Sequence, residues 1–301
     1  MGDDVRRVML VDGHGLAFRG FYALPEMNAP DGTPTNAVLG FMNMLLKAVE
    51  EWRPDGVGIF FDPKGPTARN EMYDAYKEGR RPTPESFKGQ VPLIMELCGA
   101  LGYPVFMMDG VEADDIIAST ASSAAAGGVE AVILSADKDL LQILSRDMKM
   151  ARPLKGISEF KLYDEASFTE EYGFPPRAMA DYLALVGDAV DNIPGVKGVG
   201  DKTARDLIRT HGSLEGIYGA LDSLPKGVRA KLEAGRDSAF SSYELVIPQR
   251  IEAVGADALR LSPPDVGRAS ELCSRRGLKK LMARLNLPPQ AAREAGPAPA
   301  P

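Results

Sequence analysis

The stretch Ala131-Val132-Ile133-Leu134-Ser135-Ala136-Asp137 decides the fold class of this chain. Four apolar residues run through two small ones into a carboxylate, the pattern of a buried strand that ends at a ligand-facing edge. Two other runs repeat it: Val8-Met9-Leu10-Val11-Asp12 and Val57-Gly58-Ile59-Phe60-Phe61-Asp62. Working outward, a strand at 5–12 leads into a turn-rich stretch. An amphipathic helix at 36–52 follows, with Val38, Leu39, Met42, Leu45, Leu46 and Val49 at helical spacing. A second helix is expected at 87–101, a short buried strand at 104–108, and a helix from Glu112 that Gly127-Gly128 ends. The strand at 130–135, a short helix at 138–145 and a strand near 147–151 complete the series. Strands alternating with helices predict an α/β fold, a mainly parallel sheet flanked by helices on both faces.

Beyond about residue 175 the pattern turns helical, with helices expected at 176–186, 201–210, 213–220, 227–234, 237–247, 265–275 and 277–285. The expected division is therefore an α/β domain over 1–174 and a helical one over 175–287. Residues 288–301, rich in Ala and Pro without apolar periodicity, read as a disordered tail or linker.

The three strand ends carry acids, and more acids flank them. Asp12, Asp62, Glu112, Asp114, Asp115, Asp137, Asp139, Asp188 and Asp191 all fall near one predicted sheet edge. In an open α/β sheet that edge borders the ligand crevice. So many anions would repel and shift one another's pKa values unless something neutralised them. Hard divalent cations, Mg²⁺ or Mn²⁺, are the economical neutraliser. Taken singly, each group has a plainer reading: Asp12-Gly13 as a turn, Glu112 to Asp115 as acids at a helix start, Asp137 as a helix cap. Four unrelated capping events at one edge are harder to credit than one metal site. Two divalent ions there, ~3.5–4 Å apart, would suit phosphodiester hydrolysis. The two histidines, His14 and His211, need no part in it.

Two further segments suit a polyanionic substrate. Residues 73–90 mix Tyr73, Tyr76, Lys77, Arg80, Arg81, Phe87 and Lys88, a composition that grips phosphates and stacks on unpaired bases. Following Asp62, this segment would hang over the acids as a mobile cover. Gly195-Val196-Lys197-Gly198-Val199-Gly200 leads into Asp201-Lys202-Thr203-Ala204-Arg205. Glycines before a helix start, with Lys197, Lys202 and Arg205 close by, favour backbone-directed phosphate contacts. It is neither a P-loop nor a dinucleotide fingerprint, since no strand precedes it.

The totals are compatible. The chain has 301 residues, 45% hydrophobic and 26% charged, with a net charge of −7. Setting the nine acids aside turns that balance to +2, so a basic remainder is left for a nucleic acid. Cys98 and Cys273 sit in apolar contexts without zinc spacing and read as reduced, buried thiols of a cytoplasmic protein. Neither a signal peptide nor a membrane-length apolar run is seen.

With these residues in view, the chain resembles the 5′-nuclease domain of bacterial DNA polymerase I, within the flap endonuclease and PIN-like nuclease superfamily. The matching stretches are Leu10 to Gly13 with Arg19, Phe60 to Asp62, Tyr76 to Arg80, Pro82 to Glu85, Glu112 to Asp115 and Ala136 to Leu140. Gly187-Asp188, Asp191 to Val196, and Gly198 with Gly200 to Ala204 complete the set. The resemblance covers about residues 6–287. It implies a first metal cluster of Asp12, Asp62, Glu112, Asp114 and Asp115, and a second of Asp137, Asp139, Asp188 and Asp191. It implies a helical arch over about 70–100, from which Lys77 and Arg81 assist at the scissile phosphate beside Tyr76 and Arg80. A helix–hairpin–helix containing Lys197, Gly198, Gly200, Lys202, Thr203 and Arg205 would hold duplex DNA, with a K⁺ ion. The implied activity is 5′→3′ exonuclease and flap endonuclease cleavage of branched DNA and RNA–DNA primer junctions in replication and repair, by a monomer that can be continuous with a polymerase. Val186, Ala189 and Val190 depart from the polar residues of many relatives, which implies tuning rather than loss of activity.

Other classes fit less well. A haloacid-dehalogenase-like phosphatase needs an Asp where His14 stands, and a nicotinamide enzyme needs a fuller glycine pattern than Asp12 to Gly15. A non-catalytic DNA-binding scaffold would not keep all nine acids. A small PIN ribonuclease would lack the helical lobe.

Overall fold

Strands buried on both faces read as runs without polar side chains, and two inner strands obey this from Val8 to Val11 and from Val57 to Phe60. In the computed structural model, which describes residues 5–80, 82–154 and 156–288, they are β1 (Arg7–Asp12) and β2 (Gly56–Phe60). Between them lie α1 (Gly13–Ala23) and α2 (Asn36–Trp52). Then come α3 (Ala68–Met72), α4 (Glu85–Lys88), α5 (Gln90–Ala100), β3 (Val105–Phe106), α6 (Ala113–Ala126) and β4 (Glu130–Leu134). A 3₁₀ segment at Lys138–Ile143 precedes β5 (Met148–Pro153), β6 (Phe160–Tyr163) and α7 (Glu165–Tyr172). The sheet runs β3-β2-β1-β4-β5-β6, parallel throughout except for β6, which pairs antiparallel with β5.

Alternate residues of β1 feed two cores. Val8 and Leu10 pack with α6 and the helical half, whereas Met9 and Val11 pack with α1, α2 and α5. The helical half comprises α8 (Met179–Val186), α9 (Asp201–His211), α10 (Leu214–Gly219), α11 (Lys226–Ala234) and α12 (Arg236–Val246). The last helices, α13 (Val266–Arg275) and α14 (Lys279–Arg284), return to the sheet and pack on α5 and α2. Cys98 and Cys273 are both buried there as free thiols. No helix among the described residues is long and apolar enough to cross a membrane.

Several local expectations are corrected. The stretch after β1 is α1, not turns, because the Asp12 carboxylate caps the helix by accepting from the Gly15 N–H at 2.8 Å. Its glycines, which lower helix propensity, serve contact instead. A Cβ at Gly20 would lie 2.9 Å from the Phe41 nitrogen, and one at Gly40 only 2.5 Å from the Gly20 Cα. The two helices thus cross with their backbones touching. The strand expected at 104–108 is two half-buried residues at the sheet edge. Residues 70–100 are not one helical arch but α3, a run of turns at 74–79, α4 and α5. The strand β6 and helix α7 lacked clear periodicity and were not expected. Arg81 and the tail from residue 289 lie outside the described residues.

Candidate active site

The carboxyl ends of neighbouring strands place acids in strand order. Asp62 lies just past β2, Asp12 ends β1, and Asp137 follows β4. Each side chain is set by local backbone chemistry. Asp12 caps α1 with Oδ1 and accepts the Ser135 hydroxyl on Oδ2 at 2.7 Å. Asp137 caps the 3₁₀ segment, accepting from the Asp139 N–H at 2.9 Å. Asp62 accepts from the Ala113 N–H at 2.8 Å, which ties the β2 end to the start of α6. The capping readings and the cluster reading therefore describe the same atoms.

A cavity of about 960 Å³ opens here, and eight of the nine acids line it. Asp115 is the exception. It sits behind the wall, where Arg69 donates to both its oxygens (2.7 and 2.8 Å) and the Gln249 N–H donates at 2.8 Å. Glu112 is equally engaged by Thr67 Oγ1 and Lys77 Nζ (2.9 Å each), Arg69 at 3.1 Å and the Tyr76 hydroxyl at 3.2 Å. Burial favours its neutral form, but Lys77 and Arg69 outweigh this and hold it below the usual carboxylate range. Asp188 is likewise held down, against burial, by Lys138 at 3.0 Å. Asp191 pairs with Arg80.

The other acids have no such neutraliser. Burial pushes Asp12 up to about 7, against the Ser135 and Gly15 hydrogen bonds that pull it down. Asp139 is pushed up to about 8 by burial and then by Asp137. Asp114 and Asp137 are also raised, first by burial and then by their acidic neighbours. One oxygen of Asp139, Oδ1, is buried with no hydrogen-bond partner. Among the described residues no three acid, thiol or imidazole groups converge closely enough to hold one ion as they stand. An all-oxygen set of buried and half-buried, mutually repelling carboxylates nevertheless fits hard divalent cations, whose charge would remove both the repulsion and the orphaned oxygen.

The remaining sequence candidates fall in two groups. Tyr76 is buried with its hydroxyl on Glu112, so its ring is not offered to a base. Lys77 lies 4.8 Å from that ring's centroid and donates its backbone N–H to the Asp191 carbonyl at 3.0 Å. Arg205 also turns inward: it pairs with Asp201 at 2.7 Å, lies over Tyr172 and donates to the Tyr172 carbonyl at 3.1 Å. By contrast Lys197, Gly198, Gly200 and Lys202 are exposed, and Thr203 is half-buried, at the start of α9. The hairpin before them is tight. Gly195 has φ 61°, and a Cβ there would lie 2.4 Å from the Gly187 nitrogen. Val190 is two-thirds exposed at the cavity rim beside Ala189, whereas Val186 packs against the core. His14 lines the cavity as a neutral ring: its Nδ1 accepts the Asp62 N–H at 3.1 Å, and burial lowers its pKa.

Sequence reasoning missed Arg69. Its neighbours Ala68, Asn70 and Glu71 gave no signal, yet it is 5% exposed and also donates to the carbonyls of Leu245 (2.8 Å) and Ile247 (3.0 Å).

Family comparison agrees with this geometry. Residues 7–173 match the 5′-3′ exonuclease N-terminal resolvase-like domain, and residues 174–266 match the 5′-3′ exonuclease C-terminal SAM fold. The chain belongs to the 5′-3′ exonuclease family. By family it is a hydrolase. It is 42% identical over 291 residues to the thermostable DNA polymerase I of Thermus aquaticus, covering 96% of this chain and 34% of that one. To DNA polymerase I of Caldicellulosiruptor bescii it is 36% identical over 285 residues, covering 93% of this chain and 34% of that one. The chain thus spans about a third of the length of these curated relatives. The fold matches the T5 D15 protein co-crystallised with metal ions, with a TM-score of 0.66 at 20% identity, over 93% of this chain and 98% of that one. It also matches the catalytic core of Rad2 in complex with DNA substrate, with a TM-score of 0.63 at 16% identity, over 95% and 93% of the two chains.

Proposed function

We propose that this chain is a divalent-metal-dependent 5′→3′ exonuclease and flap endonuclease that hydrolyses phosphodiesters of branched DNA and of RNA–DNA primer junctions, acting in the cytoplasm in DNA replication and repair. The observation that carries this reading is the set Asp12, Asp114, Asp137 and Asp139: Asp12 buried and the others half-buried, all raised in pKa, without an ion-pair partner and lining one cavity. These residues, with Asp62, would hold the ions; Glu112, Asp188 and Asp191 would join by exchanging their present cationic partners. Asp115 would act through Arg69, keeping the guanidinium against Glu112. Divalent ions bound there would activate water and stabilise the leaving oxygen.

The chain's own residues do the rest. Lys77 and Arg80, now paired with Glu112 and Asp191, stand at the cavity wall where a substrate phosphate could take over their charge. Arg81 is proposed beside them on the resemblance alone. Lys197, Lys202 and the exposed backbone at Gly198 and Gly200 would hold duplex phosphates without reading sequence, with K⁺ as a proposed companion. The relatives that carry the name DNA polymerase I support a chain continuous with a polymerase.

The test is cleavage of a 5′-labelled flap duplex in Mg²⁺, with EDTA and a blunt duplex as controls. Metal-dependent cutting near the junction is the expected result. Tight binding without cutting in either Mg²⁺ or Mn²⁺ would replace the enzyme with a scaffold.

A further inference from the structure

Six cationic side chains line the cavity, and four are spoken for by its acids: Arg69, Lys77, Arg80 and Lys138. Arg19 and Arg152 have no acid partner among the described residues, although unneutralised carboxylates share the cavity with them. The reason is an anchor. The Nε of Arg152 donates to the Ala136 carbonyl at 3.1 Å, and that of Arg19 donates to the Gly156 carbonyl at 3.2 Å. Glu171 feels the charge of Arg152 but is itself held by Lys161 and by the Tyr163 hydroxyl at 2.9 Å.

Arg152 extends the strand-order pattern of the site. From β2 through β1 to β4 the sheet edge carries Asp62, Asp12 and Asp137, and the next strand, β5, carries Arg152 near its carboxyl end. Where the edge turns from anion to cation, the ligand must change from metal to anion. A guanidinium fixed through Nε keeps its two terminal nitrogens for a second acceptor, and a planar fork suits a phosphate.

We propose that Arg152, which shares the cavity with Arg19, forms a phosphate-binding subsite that grips one backbone phosphate of the substrate strand adjacent to the metal-binding acids. This rests on the nuclease reading above. Arg152 is a substrate-positioning residue: it fixes where the strand lies and takes no part in bond breaking. Arg69, Lys77, Arg80 and Lys138 must release an acid before they can bind substrate, whereas Arg152 and Arg19 are already available.

The test compares the wild-type chain with Arg152→Gln and Arg152→Lys on a flap duplex. Glutamine can still donate to the Ala136 carbonyl, so a matched thermal melt separates substrate effects from misfolding. For Arg152→Gln the expected result is a several-fold rise in KM with kcat little changed, and a salt slope of DNA binding lower by about one. Arg152→Lys should keep the slope while KM still rises, because charge survives and the fork does not. Flaps carrying one methylphosphonate at successive positions provide the location. Neutralising one particular phosphate should weaken the wild type but leave Arg152→Gln unaffected. Unchanged KM and slope in Arg152→Gln, with the wild type cutting normally, would overturn the subsite alone. A wild type that neither cuts nor binds the flap would overturn the nuclease reading and the subsite with it.

Discussion

Arg69 clasps Asp115 with both terminal nitrogens, at 2.7 and 2.8 Å, and neither residue is more than 5% exposed. The same guanidinium reaches Glu112 and two carbonyls of the 245–247 segment. Removing one partner of a buried pair leaves the other charge without compensation, so Arg69→Met should cost about 3–5 kcal/mol of stability. Denaturant unfolding checks this. A loss under about 1 kcal/mol would mean that Asp115 finds another partner or takes up a proton at little cost.

The metal-free protein should lose stability as pH rises. Asp12 and Asp139 have folded-state values near 7 and 8 against an ordinary 3.8, so each is bound more tightly to its proton in the fold than in the unfolded chain. Their contribution is complete below the ordinary value and is lost as pH climbs through the folded one, so the denaturant midpoint should fall from about pH 4 to about pH 8. Divalent ions should reverse that fall and release protons on binding. Titration in two buffers of different ionisation enthalpy reads the protons directly. Binding without release at neutral pH would contradict the raised values.

Asp137→Asn should sharply reduce cleavage and leave flap affinity largely intact. The amide keeps an oxygen to cap the 3₁₀ segment, so folding should survive. Turnover and binding are measured on the same substrate. Near-normal turnover would remove Asp137 from the reaction.

Lys202 and Arg205, three residues apart on α9, should respond differently. Lys202→Ala should weaken duplex binding and lower the salt slope by about one, because Lys202 is exposed. Arg205→Ala should instead lower the melting temperature, since Arg205 ties α9 to the Tyr172 carbonyl and ring. Equal effects of the two on the slope would show that Arg205 turns outward to meet DNA.

The sequence displayed what depends on neighbours in the chain. The apolar runs ending in Asp12, Asp62 and Asp137, and the helix at 36–52, carry their own periodicity, and the acids were legible because strand ends share one edge. What it hid depends on contacts across the fold. Gly13, Gly15 and Gly20 argue against a helix until Phe60 and Phe61 are seen against Gly13, the Asp12 carboxylate against Gly15, and Phe41 and Gly40 against Gly20. Tyr76 and Arg205 look like DNA-binding residues by composition, and only packing turns them inward. The roles of Arg69 and Arg152 are set by carbonyls at 245, 247 and 136, which no local pattern announces.

The backbone contact between Gly20 and Gly40 bears on how the site must work. At the crossing the backbones of α1 and α2 touch, and Asp12 at the cap of α1 is held on both oxygens, by the Gly15 N–H and the Ser135 hydroxyl. Asp188 and Asp191 sit on a loop closed by paired bonds between Asp188 and Ile193, and that loop is held to the 75–77 turn through Asn192 and Lys77. Under the nuclease reading proposed above, Asp188 and Asp191 would reach an ion by giving up Lys138 and Arg80 on this tethered loop, whereas Asp12 would meet it from a helix cap already packed against the sheet.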